Sequence, residues 1–184
     1  MTADKPFQDC KTFQTKTLQN SNMLLLVFLF ALGLAAELPS DGNEVKLLRG
    51  NCPMFWYSFK GRCYKYVASR MTWGEAEVHC LSEGGNLVSI HSLDEHNFVN
   101  DLIKNFDPTR DFTWIGLTDV HKEGAWMWSD GSKYEFSLWA PAEPNNVGGQ
   151  EHCGHTNLGP NYYWNDHLCS HKKALVCASR INCC

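Results

Sequence analysis

Residues 143–169 read EPNNVGGQEHCGHTNLGPNYYWNDHLC. They begin within a longer stretch, Ser129 to Asn161, that is rich in Gly, Pro and Asn and poor in strand or helix periodicity. A loop of that length with no structure of its own is uncommon in a compact domain and is usually functional. Its backbone polar groups need support, which disulfides and a metal ion would supply. A functional site is therefore expected along this loop and the strand-like Tyr162–Trp164 that follows it.

Outward from the loop, two helices are marked by their caps. Thr72-Trp73-Gly74-Glu75 and Ser92-Leu93-Asp94-Glu95 both fit the capping box. In that motif a hydroxyl and a carboxylate three residues on satisfy each other's free backbone N–H groups. The first helix is expected to run to about Glu83 and stop at Gly84-Gly85. The second places Phe98, Val99, Leu102, Ile103 and Phe106 on one apolar face and ends at Asp107-Pro108. Strands are expected at Tyr57–Tyr66, Phe112–Leu117, Ala125–Trp128, Tyr162–Trp164 and Ala174–Ala178. Two helices, several short strands and one long loop make an α+β domain.

Nine Cys in 184 residues, with no paired CxxC motifs of the zinc kind, point to disulfides and an oxidising compartment. Met23 to Ala36, MLLLVFLFALGLAA, is an unbroken apolar run. It is too short to span a bilayer, which takes about 20 residues, and suits the h-region of a signal peptide. Lys5, Lys11 and Lys16 lie upstream, and cleavage is expected near Ala35 or Ala36. A signal anchor is the rival reading, and translation from Met23 would give the segment a more usual length. The chain thus divides into a targeting segment at 1–36, a leader at 37–50, a folded domain at 51–180 and a Cys-containing tail at 181–184. Secretion is expected, with no membrane span in the mature form. A hydrophobic fraction of 43% and seven Trp are ample for one core. The net charge of −4 gives no reason to expect nucleic acid or an anionic membrane as partner.

Trp114-Ile115-Gly116-Leu117, Glu143-Pro144-Asn145 and Trp164-Asn165-Asp166 follow one another in that order. By this ordered set the chain resembles the C-type lectin family over roughly Cys52 to Cys177. It is similar to secreted fish lectins of the nattectin and ladderlectin type. The resemblance implies a C-type lectin-like fold with two helices, small antiparallel sheets and a long calcium-binding loop. It also implies disulfides Cys52–Cys63, Cys80–Cys177 and Cys153–Cys169; the spacing of the cysteines leaves their pairing open. Cys10 would leave with the targeting segment. Cys183 and Cys184 suggest a disulfide-linked homodimer, against capping by a small thiol or an adjacent bridge.

Calcium takes about six to eight oxygen ligands. Glu143, Asn145, Glu151, Asn165 and Asp166 offer three carboxylates and two amides, and match the family's sugar-binding calcium site position by position. A cis Glu143–Pro144 bond is implied with them. Two neighbouring sugar hydroxyls would complete the calcium shell, donate to Glu143 or Glu151, and accept from the Asn145 or Asn165 amide. In the family Glu-Pro-Asn goes with mannose-type sugars and Gln-Pro-Asp with galactose. Among fish lectins of this type the tripeptide is a less secure guide, so galactose binding, with or without calcium, is the alternative. Tyr162 and Tyr163 offer an aromatic contact. Asp119 and Glu123 match two ligands of an auxiliary calcium site that would share Glu151. Asn146 and His152 stand where that pattern has acids, and His is a poor calcium ligand, so this second site is expected to be weak or empty.

Other readings are weaker. Trp114, Trp126, Trp128 and Trp164 sit in strand-like runs with apolar neighbours and read as core rather than sugar platforms. His91, His96 and His171 read as surface residues. Glu151-His152-Cys153-Gly154-His155 suggests zinc, but a disulfide at Cys153 removes the thiolate zinc would need. There is no HExxH, GxSxG or phosphate-cradling glycine loop, so the chain is not expected to be an enzyme. The carboxylate pair Glu143 and Glu151 would suit a glycosidase, yet nothing supplies a deep cleft. Ice binding and protein recognition are the rival binding functions. No N-glycosylation sequon occurs. A role in agglutinating microbes, as part of innate immunity, is implied by the resemblance alone.

Overall fold

The computed structural model describes residues 46–180. Its strands are β1 (Tyr57–Phe59), β2 (Arg62–Met71), β3 (Asn86–Leu87), β4 (Thr113–Thr118), β5 (Met127–Trp128), β6 (Glu151–Leu158), β7 (Tyr163–Leu168) and β8 (Lys173–Arg180). The helices are α1 (Trp73–Ser82) and α2 (Leu93–Phe106). The strands join in one sheet in the order β1-β2-β8-β4-β6-β7, with β3 on β8 and β5 on β4. The β4–β8 pairing is parallel and the other pairings are antiparallel. The expected small antiparallel sheets are thus joined across that one parallel seam, and the fold is α+β.

Both helices start at the residues their sequences mark. At Thr72 the box is complete: its hydroxyl accepts from Glu75 N–H at 3.4 Å and the Glu75 carboxylate accepts from Thr72 N–H at 3.0 Å. At Ser92 only half of it forms. Its hydroxyl accepts from Glu95 N–H, but the Glu95 carboxylate turns inward. There it accepts from His91 N–H at 2.7 Å, from the Arg62 guanidinium at 2.6 Å and from the Tyr64 hydroxyl. A buried carboxylate needs such partners, and together they outbid the single cap bond. Phe98, Val99, Leu102 and Ile103 of α2 are buried, whereas Phe106, at the end of the helix, is 48% exposed.

Trp114, Trp128 and Trp164 are fully buried and Trp126 half-buried. The Trp128 and Trp164 rings meet edge to face, with centroids 5.6 Å apart. Gly116 lets β4 lie against β3: a Cβ there would come within 2.6 Å of the Leu87 carbonyl oxygen. Disulfides Cys52–Cys63, Cys80–Cys177 and Cys153–Cys169 are formed, the pairing the resemblance implies. Cys80–Cys177 ties α1 to β8 across 97 residues. In the chain-entropy account a loop of that length contributes about 4–5 kcal/mol.

Several expectations change. The stretch 129–161 is not structureless throughout, because β6 forms within it, paired to both β4 and β7. Gly, His and Asn in this strand hide it from periodicity; two neighbours and the Cys153–Cys169 bridge hold it in place. Leu47 packs on the core and the Leu48 carbonyl accepts from Ser58 N–H at 2.7 Å, so the last residues assigned to the leader lie against the domain. The targeting run Met23–Ala36, Cys10, Cys183 and Cys184 lie outside the described residues. Among the described residues no helix is long and apolar enough to cross a membrane.

His91 and His171 are exposed, but His96 is 1% exposed. Its Nδ1 accepts from the Trp164 indole N–H at 3.2 Å, and an indole can only donate, so that nitrogen carries no proton. Burial lowers the His96 pKa from 6.5 to about 4. The unfolded chain therefore takes up this proton as pH falls below about 6.5, while the folded chain resists until about 4. Stability is lost across that window, by up to about 3 kcal/mol from this residue. His96→Gln keeps an acceptor for Trp164 and removes the titration. Its melting temperature is expected to fall less than the wild type's between pH 6.5 and 4; an equally steep fall would place the acid sensitivity elsewhere.

Candidate functional site

The segment between β5 and β6 is held mainly to β7. The Trp164 N–H donates to the Leu138 carbonyl at 2.8 Å and its carbonyl accepts from Ala140 N–H at 2.9 Å. The Trp164 ring packs edge to face on Phe136 and Trp139. Two residues on, the fully buried Asp166 carboxylate accepts from Asn145 N–H at 3.2 Å and Asn146 N–H at 2.7 Å. The Glu143–Pro144 bond is cis.

These anchors place Asn145 and Glu151 beside one another, with Glu143 in range of the Asp166 and Glu151 charges and Asn165 next to Asp166 in β7. Val147 N–H lies 3.1 Å from both Asn145 Oδ1 and Glu151 Oε2 and fixes those two oxygens side by side. Glu143 Oε2 and Asn165 Oδ1 are buried and have no hydrogen-bond partner among the described residues. Burial first, then the neighbouring Asp166 and Glu151 carboxylates, push the Glu143 carboxyl above its ordinary range. None of the three carboxylates pairs with Lys or Arg among the described residues. Unpartnered buried oxygens beside uncompensated negative charge suit a hard cation that takes carboxylate and amide oxygens. Asn145 is exposed on the rim while Glu151 and Asp166 are buried, so the site opens at the surface. A polar cavity of about 380 Å³, lined in part by Arg62, Asn86, Asp130 and Arg180, belongs to a different part of the domain.

Two supporting residues escaped the sequence reading. His155 Nδ1 lies 3.0 Å from the Thr156 carbonyl, to which it must donate, so Nε2 is left to accept from Asn165 Nδ2 at 3.4 Å. Burial lowers the His155 pKa to about 3 and keeps the ring neutral. With Nδ2 directed to His155 and to the Asp166 carbonyl, Asn165 Oδ1 is the free end. Asn146 appeared only as a missing acid. Here it is left-handed at φ 43°, its Oδ1 accepts from Glu151 N–H at 2.9 Å, and its Nδ2 donates to Glu123 at 2.5 Å. Asn tolerates that backbone region better than most residues, which was the available signal.

Asp119 and Glu123 also converge, with His152 as their third member rather than Glu151. Tyr162 and Tyr163 are half-buried, and the Arg110 guanidinium lies over the Tyr162 ring at 4.1 Å. That cation already covers one of the two aromatic contacts considered for a sugar.

Residues 69–179 match the C-type lectin domain, which covers more than half of the chain. The chain belongs to the C-type lectin family. The chain is 45% identical to lactose-binding lectin l-2 of Anguilla japonica, over 78% of this chain and 87% of that protein. It is 38% identical to the galactose-specific lectin nattectin of Thalassophryne nattereri, over 84% of this chain and 95% of that one. Among solved structures it superposes on the herring type II antifreeze protein with a TM-score of 0.67 and 34% identity, covering 71% of this chain and all of that one. The relatives are lectins and ice-structuring proteins, and this C-type lectin is a binding domain, not an enzyme.

Asp166→Ala removes the acceptor for the Asn145 and Asn146 amides. At about 1–3 kcal/mol for an unsatisfied buried partner, hydrogen exchange at both amides in chelator is expected to quicken about tenfold or more. Exchange at Trp114 in β4 should stay unchanged. Unaltered exchange at 145 and 146 would show that other contacts hold the loop.

Proposed function

We propose that this C-type lectin is a secreted protein that binds carbohydrate at a calcium ion held by Glu143, Asn145, Glu151, Asn165 and Asp166. The observation that carries the reading is the pair of buried oxygens, Glu143 Oε2 and Asn165 Oδ1, that have no hydrogen-bond partner among the described residues, near three carboxylates that have no Lys or Arg partner there. Calcium, when bound, offers open coordination positions to two vicinal sugar hydroxyls. Glu143 and Glu151 would accept hydrogen bonds from the hydroxyls and the Asn145 amide would donate to a hydroxyl oxygen, while Asn165, whose Nδ2 is taken by His155 and the Asp166 carbonyl, would turn its Oδ1 to the ion. Because the site opens at the surface, each sugar is held weakly and useful binding needs several sites together. Secretion is supported by the apolar run Met23–Ala36 and by three formed disulfides.

The acid-then-amide order of Glu143-Pro144-Asn145 favours a mannose-type pair of equatorial hydroxyls. A second reading, galactose, is favoured by relatives that carry the names lactose-binding and galactose-specific. Retention of the secreted protein on mannose and galactose resins, with calcium and then with chelator, separates them. Retention on mannose that chelator abolishes is expected. Calcium-dependent retention on galactose would keep the site and reverse the sugar. Galactose retention that survives chelator would move the sugar elsewhere. In the expected case, Glu143→Gln with Asn145→Asp shifts retention from mannose to galactose. Thermal hysteresis without sugar retention would favour the ice-binding alternative that the herring structure raises. The dimer through Cys183 or Cys184 would show as a doubled mass on a non-reducing gel.

A further inference from the structure

We infer that Asp119, Glu123 and His152 form a separate site for a first-row transition ion of the zinc type, rather than a remnant calcium site. One ligand atom from each lies within 4.8 Å of the other two. His152 Nδ1 is 3.0 Å from Asp119 Oδ1 and 3.5 Å from Glu123 Oε2. A tetrahedral ion with ligands at about 2.0–2.1 Å spaces those ligands roughly 3.3 Å apart, close to both separations. A calcium shell at about 2.3–2.6 Å is wider and is made of oxygen alone. An imidazole nitrogen with two carboxylates is a borderline donor set that selects zinc-like ions over calcium.

The charge balance is an independent observation. The Asp119 side chain is 1% exposed, and among the described residues its sole ion-pair partner is His152. A carboxylate that deep, with no Lys or Arg, carries a desolvation cost that a bound cation would offset. The surroundings also suit a metal. Asp119 Oδ2 accepts from Gly124 N–H at 2.7 Å, leaving Oδ1 toward the imidazole. Thr118 Oγ1 and Asp119 N–H both bond to the His152 carbonyl, at 2.7 and 3.2 Å, which locks the two strands in register. Asn146 Nδ2 holds the Glu123 carboxylate at 2.5 Å. Such outer partners orient metal ligands. Glu123 is 59% exposed at the side chain, so the ion has an open path in. The zinc reading of the sequence at Glu151–His155 fails at Cys153, which is in a disulfide. His152 finds its co-ligands in the turn that follows β4, 33 residues away in the case of Asp119.

The test is calorimetric titration of the calcium-saturated full chain with zinc chloride, beside His152→Gln and Glu123→Gln. Both replaced side chains are partly or largely exposed, and melting in chelator checks that the variants fold. The wild type is expected to take one more equivalent of zinc than His152→Gln, not displaced by excess calcium. Glu123→Gln is expected to bind that equivalent more than about tenfold more weakly. Zinc held by cysteines or other histidines is common to all three proteins and cancels. Equal zinc uptake by wild type and His152→Gln would overturn the site. A calcium equivalent at these residues that His152→Gln retains would overturn the choice of metal. No sugar is involved, so failure of sugar binding leaves the outcome unaffected.

Discussion

The long segment before β6 is anchored on two residues of one strand. Trp164 pairs its backbone with Leu138 and Ala140 and buries its ring against Phe136 and Trp139. Asp166 holds the amides of Asn145 and Asn146, and Asn165 lies between them. A strand paired on one side only would be a weak support. β7 is fixed by antiparallel pairing to β6, by the Cys153–Cys169 bridge and by the buried indole of Trp164. Rigid backbone therefore carries side chains that must converge to within ångströms.

That convergence gathers like charges. Among the described residues Glu143, Glu151 and Asp166 have no Lys or Arg ion-pair partner, and burial first, then the Asp166 and Glu151 charges, push the Glu143 carboxyl above its ordinary range. The second cluster meets a similar problem with the imidazole of His152 beside Asp119 and Glu123. Asn146 touches both, through Glu151 N–H on one side and Glu123 on the other, with its own N–H on Asp166. Hydrogen bonds within the loop satisfy donors but leave the negative charge uncompensated, which is why both clusters point to cations.

Much of this was legible in the chain. Thr72 and Ser92 start the helices where their caps place them. The ordered tripeptides and the WIGL run led to the family, and four tryptophans read as core are buried or half-buried. β6 was not legible, because its residues have little strand propensity and take their conformation from two neighbouring strands. His96 was misread as surface: its ring serves Trp164, 68 residues away, and nothing local reports such a partner.

The sequence by itself determined the quantities that depend on near neighbours: caps, turns, apolar faces, the kinds of donor atom in the loop and, through ordered motifs, the family. Tertiary structure decided which oxygens are left without partners and which carboxylates share a cation's reach. It also set the tautomer of His155 that turns the Asn165 oxygen free, and the meeting of His152 with Asp119. Each of these depends on side chains brought together across strands. Pairing register and burial, rather than spacing along the chain, fix their distances and their charge.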